Sequence, residues 1–444
     1  VITSVAAVAV SLAAVGVAAE APRGEVVPRV QCVKDPSFSY ALYLPSTYTA
    51  ERRWPVVLCF APDARGEVPA QRLKDGAERF GFIVVASNDS RNGPWEPIER
   101  AQAALWKEVR ARFAVDETRV YGLGFSGGAR AALKMALEHP RQFAGVISCG
   151  ALMTGERPLP AKLKLAIYGI SGADDLALQE YEQLDDTLTA TGATHWLEVF
   201  PGGHRWPDAD RLTGALELMD ADARRRGLAP ADEAAVERLA AARLADAAAL
   251  EAAGSRWEAR RACRQLARVF AGGAAASAAS AAVARLDADP EVRRRAEQEE
   301  SLARALAALR HPEDGESFKL AWGWLGRQAT AGGPLAGRAR HARTSVPDQM
   351  ARLAIEGARA GNPRGADQLI DPLLAIDLDH PIAVYNLACA LAVRGRTREA
   401  LATLRRAVEL GFTNVEGMAG DADLASLRGK PEYEALLAAL RKPR

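Results

Sequence analysis

The sequence predicts an α/β fold, a mostly parallel sheet with helices on both faces, followed by an all-α region of helical repeats. Three observations predict it. Between residues 38 and 226, short apolar runs alternate with amphipathic helical stretches. Those runs are apolar throughout rather than at alternate positions, which marks strands buried on both faces. Beyond about residue 228 such runs stop, and Ala, Arg, Leu and Glu dominate.

The elements follow in order. "YALYLP" reads as a strand, and "PVVLCFAP", closed by Pro62, as a buried one. A helix is expected near 69–80, then the strand "FIVVAS", then a longer helix over about 97–113. "RVYGLG" leads into a helix from Gly127 to Glu138, and "AGVISCG" and "KLAIYGI" are the next strands. A helix near 176–190, the strand "HWLEVF" and a helix from Ala209 to Arg225 complete the pattern. The expected domains are a signal peptide or anchor at 1–21, the α/β domain at 28–227, a helical region at 228–345 and helical repeats at 346–444.

The repeats rest on a 34-residue offset that aligns Leu353 with Leu387, Ala354 with Ala388, Ala366 with Ala400 and Ile370 with Leu404. That period, with small residues at close-packing positions, is the tetratricopeptide signature. "PIAVYNLACALAVRGRTREALATLRRAVELGF" resembles such a repeat, with Leu387, Ala388, Ala400 and Ala407 on its consensus positions. The preceding unit is degenerate, with Gly357 where a large residue is usual. Stacked repeats make a concave surface, so a protein or peptide partner is expected there.

Composition excludes other classes. Net charge is +1 with basic residues spread among acidic ones, which argues against nucleic acid. Six histidines without paired ligand spacing argue against zinc, and no cofactor motif survives inspection. Residues 1–19 are uncharged and end in small residues, as in a secretory signal, so export is expected, with membrane attachment only if the segment is uncleaved. Of the five cysteines, Cys59 and Cys149 sit in apolar strands as buried thiols.

"VYGLGFSGGARAAL" carries the chemistry and has two readings. Gly122, Gly124 and Gly127 spell G-x-G-x-x-G, a dinucleotide turn. That reading needs an acidic residue about 20 positions on at a strand end, and the nearest, Glu138, ends a helix. Gly124, Ser126 and Gly128 instead spell G-x-S-x-G, a sharp strand-to-helix turn exposing a serine. This reading needs an acid and then a histidine at later strand ends. "KLAIYGISGADD" supplies Asp174 and Asp175, and "HWLEVFPGGHRWP" supplies His204. A serine hydroxyl needs a base to take its proton, and the base needs a carboxylate to fix its tautomer.

Residues 38–208 resemble the α/β-hydrolase superfamily, in particular the esterase branch with polyhydroxybutyrate depolymerases and feruloyl esterases. "VYGLGFSGGARAALKMALEHPRQFAGVISCGA" and "FPGGHRWP" carry the resemblance. It implies Ser126 as nucleophile, His204 as base and Asp175 as the acid, with Asp174 second. The family's His-Gly after its early strand is replaced by "CFAPDARG". The implied oxyanion hole is the Gly127 N–H plus one from Ala61 or Asp63, since Pro62 has no N–H. Arg91 and Asn92 in "SNDSRNGPW", and Arg130, are candidate substrate contacts. About 15 residues separate "VISCG" from "KLAIYG", too few for a lid, so a small or polymeric ester is the expected substrate. The other reading is a hydrolase-fold protein without activity that serves as a binding scaffold.

Overall fold

The computed structural model describes residues 21–152, 159–310 and 314–441. The expected segment at 1–21 lies, apart from Ala21, outside the described residues. The chain divides into two compact units between Arg293 and Arg294. No helix among the described residues is long and apolar enough to cross a membrane.

In the first unit the described strands form one eight-stranded sheet in the order β1-β2-β4-β3-β5-β6-β7-β8. The strands are β1 (Val26–Gln31), β2 (Ser39–Tyr43), β3 (Trp54–Phe60), β4 (Ile83–Ser87), β5 (Val115–Phe125), β6 (Gly145–Cys149), β7 (Ala166–Gly172) and β8 (His195–Phe200). β2 is antiparallel to both β1 and β4, and every other pairing is parallel. The helices are α1 (Glu67–Phe80), α2 (Trp95–Arg112), α3 (Gly127–Glu138), α4 (Ala177–Thr191), α5 (Ala209–Arg225), α6 (Glu233–Ala252), α7 (Arg256–Val269) and α8 (Ala274–Asp287).

Alternation along each strand splits the core into two layers. Val57, Cys59, Leu123 and Ile147 pack with Leu73 of α1 and Leu216 of α5, and α6–α8 extend that layer. Val56, Leu58, Phe60 and Val146 face the other way, onto Leu105 of α2, Ala132 of α3 and Tyr181 of α4. All five cysteines are buried free thiols.

Two strand features depart from the sequence pattern. β1 is an added edge strand whose Pro28 falls where its register with β2 shifts; an edge tolerates the missing donor. β5 begins at Val115, before the polar stretch "DETR", because Val115 still pairs with Trp54 beyond an irregularity in register.

α7 serves the sheet directly. Gln265 accepts from Leu197 N–H and donates to Leu197 C=O at 3.0 Å, and Arg268 donates to His195 C=O at 3.1 Å. These side chains occupy backbone groups of the outermost strand, β8, that would otherwise template pairing with another chain. Asp185 of α4 joins them: it faces His195 Nε2 at 3.0 Å, Arg268 at 3.2 Å and Arg264 at 3.6 Å.

The second unit continues in helices. They include α9 (Pro290–Arg310), whose first turn precedes the division at Arg294, α10 (Gly315–Thr330), α11 (Ala336–Arg359), α12 (Pro363–Leu374), α13 (Pro381–Val393) and α14 (Thr397–Glu409). The 34-residue spacing recurs in the backbone. α11 ends at Arg359 and α13 at Val393, and α12 starts at Pro363 and α14 at Thr397. Gly361 (φ 80°) and Gly395 (φ 73°) occupy the left-handed positions that terminate α11 and α13. Ala354, Ala388, Ala366, Ala400 and Ala407 are buried, but Leu353 is 47% exposed whereas its counterpart Leu387 is buried.

Burial alone would raise the Asp185 carboxyl, yet the His195 hydrogen bond and the Arg268 and Arg264 charges outweigh it and hold the pKa at about 2. A folded pKa below the unfolded one gives stability that is present above the unfolded value and is lost as pH falls through the folded one. In urea titrations, wild-type unfolding free energy should therefore fall more steeply from about pH 5 toward about pH 2 than that of Asp185→Asn. Parallel slopes would contradict this role.

Candidate active site

The site is assembled where strands β5, β7 and β8 end. β5 stops at Phe125, and α3 begins at Gly127, leaving one residue to turn the chain. That residue, Ser126, stands at φ 55°, ψ −121°. A non-glycine residue there is strained by roughly 1–3 kcal/mol. Its N–H donates to Cys149 C=O at 2.8 Å, and its C=O accepts from Ala129 and Arg130 at the start of α3. Two glycines permit the turn. A Cβ on Gly124 would collide with the Gly128 carbonyl, and one on Gly128 with the Phe60 carbonyl.

The loops after β7 and β8 are locked together. Ala173 N–H donates to Phe200 C=O at 2.8 Å, and Asp174 N–H to Gly202 C=O at 2.9 Å. A Cβ on Gly172 would strike the carbonyls of Gly202 and Gly203, so glycine is required at this crossing. Asp175, 2% exposed, accepts from Ala177 N–H at 3.0 Å through Oδ1. Its Oδ2 meets His204 Nδ1 at 2.7 Å. The other imidazole nitrogen, Nε2, lies 2.9 Å from Ser126 Oγ. The structure thus brings Ser126, His204 and Asp175 into one chain of contacts, with Asp175 rather than Asp174 against the histidine.

Three supports were not anticipated from the sequence. The Phe125 ring lies 4.7 Å from the His204 ring, and Trp206 lies 5.1 Å from Phe125. Gly150, at φ 65°, leaves the space they need: a Cβ there would sit 2.8 Å from the Phe125 ring and 3.2 Å from His204 Cε1. The available signal was adjacency, since Phe125 precedes Ser126 and Trp206 lies two residues past His204.

The remaining predicted residues are placed as follows. Gly127 opens α3, so its N–H lies among those with no partner inside the helix. The Phe60–Ala61 peptide is packed on Gly128, where a Cβ would lie 3.3 Å from Ala61 N. Asp63 forms an isolated antiparallel bridge with Arg91, and Asn92 N–H donates to Pro62 C=O at 2.8 Å. The Asn92 carboxamide lies directly on Gly127, inside the volume a Cβ would fill. Arg91 is exposed. Arg130 is engaged elsewhere: it pairs with Glu180 at 3.0 Å, and Glu180 also accepts from Leu152 N–H at 2.9 Å.

Chemically, the arrangement can take a proton from Ser126 onto His204 while Asp175 holds the ring and balances the imidazolium. The eight-stranded sheet is mixed and mostly parallel, is flanked by helices, and is followed in the sequence by a long all-helical region.

No family model matches the chain. Over 146 residues, 31% of its length, the chain is 32% identical to NocK of Nocardia uniformis subsp. tsuyamanensis, a protein provisionally named an esterase. It spans only 39% of the length of that relative. Among solved structures it is similar to the S-formylglutathione hydrolase FrmB of Staphylococcus aureus, at 13% identity and a TM-score of 0.36, over 45% of this chain and 98% of that one. A ferulic acid esterase aligns at 18% identity and a TM-score of 0.35, over 44% of this chain and 97% of that one. The feruloyl esterase module of Clostridium thermocellum aligns at 13% identity and a TM-score of 0.35, over 43% of this chain and 86% of that one.

The strain at Ser126 has a measurable consequence. Ser126→Gly and Ser126→Ala both lack the hydroxyl, but only glycine relaxes at positive φ. Ser126→Gly should be more stable than Ser126→Ala by about 1 kcal/mol in chemical denaturation. Equal stabilities would show that the turn is unstrained.

Proposed function

We propose that the protein is a serine hydrolase that cleaves carboxylic esters through an acyl-enzyme. The observation that carries this reading is one imidazole bridging two groups, with Nε2 at 2.9 Å from Ser126 Oγ and Nδ1 at 2.7 Å from Asp175 Oδ2. Ser126 Oγ attacks the ester carbonyl carbon as its proton passes to His204 Nε2. The tetrahedral oxyanion forms beside the Gly127 N–H at the start of α3. Collapse breaks the carbon–oxygen bond to the alcohol, which leaves with the proton from His204. Water, deprotonated by the same histidine, attacks the acyl-Ser126 ester and releases the acid. Asp175 keeps the Nδ1 proton in place throughout.

Small or polymeric esters fit this reading, because His204 retains 35% of its side chain exposed at the mouth of the site. The helical unit is read as tetratricopeptide-like and as the docking surface for a protein or peptide. The recurrence of helix ends and capping glycines at 34 residues supports it. The N-terminal segment is read as an export signal. The second reading, an inactive scaffold, is favoured by one feature, Pro62 in the loop after β3, where it withholds an N–H.

Hydrolysis of p-nitrophenyl acetate separates the two. Turnover should vanish in Ser126→Ala, fall on the order of 10³–10⁴-fold in Asp175→Asn, and stay within about threefold of wild type in Asp174→Asn. A folded wild type without turnover would favour the scaffold. A large loss in Asp174→Asn with none in Asp175→Asn would overturn the assigned acid.

A further inference from the structure

We propose that the side-chain amide of Asn92 is the second oxyanion donor, in place of a backbone N–H from the loop after β3. The inference rests on the ester-hydrolase reading and concerns how its transition state is held. A developing oxyanion needs donors fixed in advance, and one N–H from Gly127 leaves the hole half built. In the loop after β3, Pro62 has no N–H to offer.

Asn92 is brought to that position by the same loop. Its own N–H donates to the Pro62 carbonyl at 2.8 Å, and the neighbouring Asp63–Arg91 bridge ties the two segments together. The loop after β4 is thus hung from the residue that withholds a donor. The carboxamide then lies on Gly127, the residue next to the nucleophile, and occupies the space a side chain at position 127 would enter. Asn92 is exposed, and among the described residues its carboxamide makes no hydrogen bond. A half-turn of the amide exchanges Oδ1 and Nδ2 without moving the rest of the residue, so an N–H can face an oxyanion there. Asparagine also suits the tight turn before Gly93.

The test uses the full chain with p-nitrophenyl acetate and a trifluoromethyl ketone, whose hemiketal oxygen occupies the place of the oxyanion. Asn92→Ala and Asn92→Asp should each lose on the order of 10²–10³-fold in kcat with KM changed by less than about threefold. Their affinity for the trifluoromethyl ketone should weaken by the same factor as kcat/KM. Far-UV circular dichroism and melting temperature should match wild type, because the Asn92 N–H to Pro62 bond is retained. Asn92→Ala with wild-type kcat would overturn the proposal and return the second donor to Asp63 or Ala61. So would a loss confined to Asn92→Asp, which reports repulsion by the introduced charge. A wild type that neither turns over nor binds the ketone would instead remove the ester-hydrolase reading beneath it.

Discussion

The site depends on one residue being held where the backbone resists being. Ser126 turns the chain from the end of β5 into α3 at φ 55°. Only the absence of side chains on both flanks makes room for it, Gly124 against the Gly128 carbonyl and Gly128 against the Phe60 carbonyl. The strain is met by packing around it. β5 lies inside the sheet between β3 and β6, and the Ser126 N–H is fixed to Cys149 at the end of β6. A turn of this kind on a loop would relax; set between buried parallel strands and a helix, it cannot.

The same logic extends to the two partners. The histidine loop would be free to move if it stood alone. It is crossed under the acid loop at Gly172, pinned by hydrogen bonds from Ala173 and Asp174, and backed by the Phe125 ring and then Trp206. The acid is buried and anchored to the N-terminus of α4 through Ala177 N–H. Each of the three side chains is held by neighbours outside their own chain of contacts, which fixes their mutual positions. At the far edge, α7 covers β8 through Gln265 and Arg268, so the strand that ends at the histidine loop is protected from slippage.

Much of this was legible in the chain. Fully apolar runs gave the parallel strands, and the helices expected at about Gly127–Glu138 and about Ala209–Arg225 match the observed ones, the second capped by Asp208, which accepts from Arg211 N–H. The order of serine, acid and histidine at strand ends pointed to three residues that the fold brings into contact. Adjacency alone could not separate Asp174 from Asp175; the resemblance favoured Asp175, and the turn after β7 sets that residue against the imidazole. β1 was hidden by Pro28 and its polar edge pattern, and the start of β5 by "DETR". The Gln265 clamp on β8 and the Asn92–Gly127 contact bring together residues far apart in sequence. Local periodicity carries no record of such contacts. The Arg130–Glu180 pair shows the same limit from the other side, since a basic residue one turn past the nucleophile is bound to α4.

The central claim is that Ser126 is an activated nucleophile. It is tested most directly by treating the full chain with a tagged fluorophosphonate and mapping the adduct by mass spectrometry. One adduct per chain is expected, on the peptide carrying Ser126, formed far more slowly in His204→Ala. A folded chain that stays unmodified, or one labelled equally fast without His204, would contradict it.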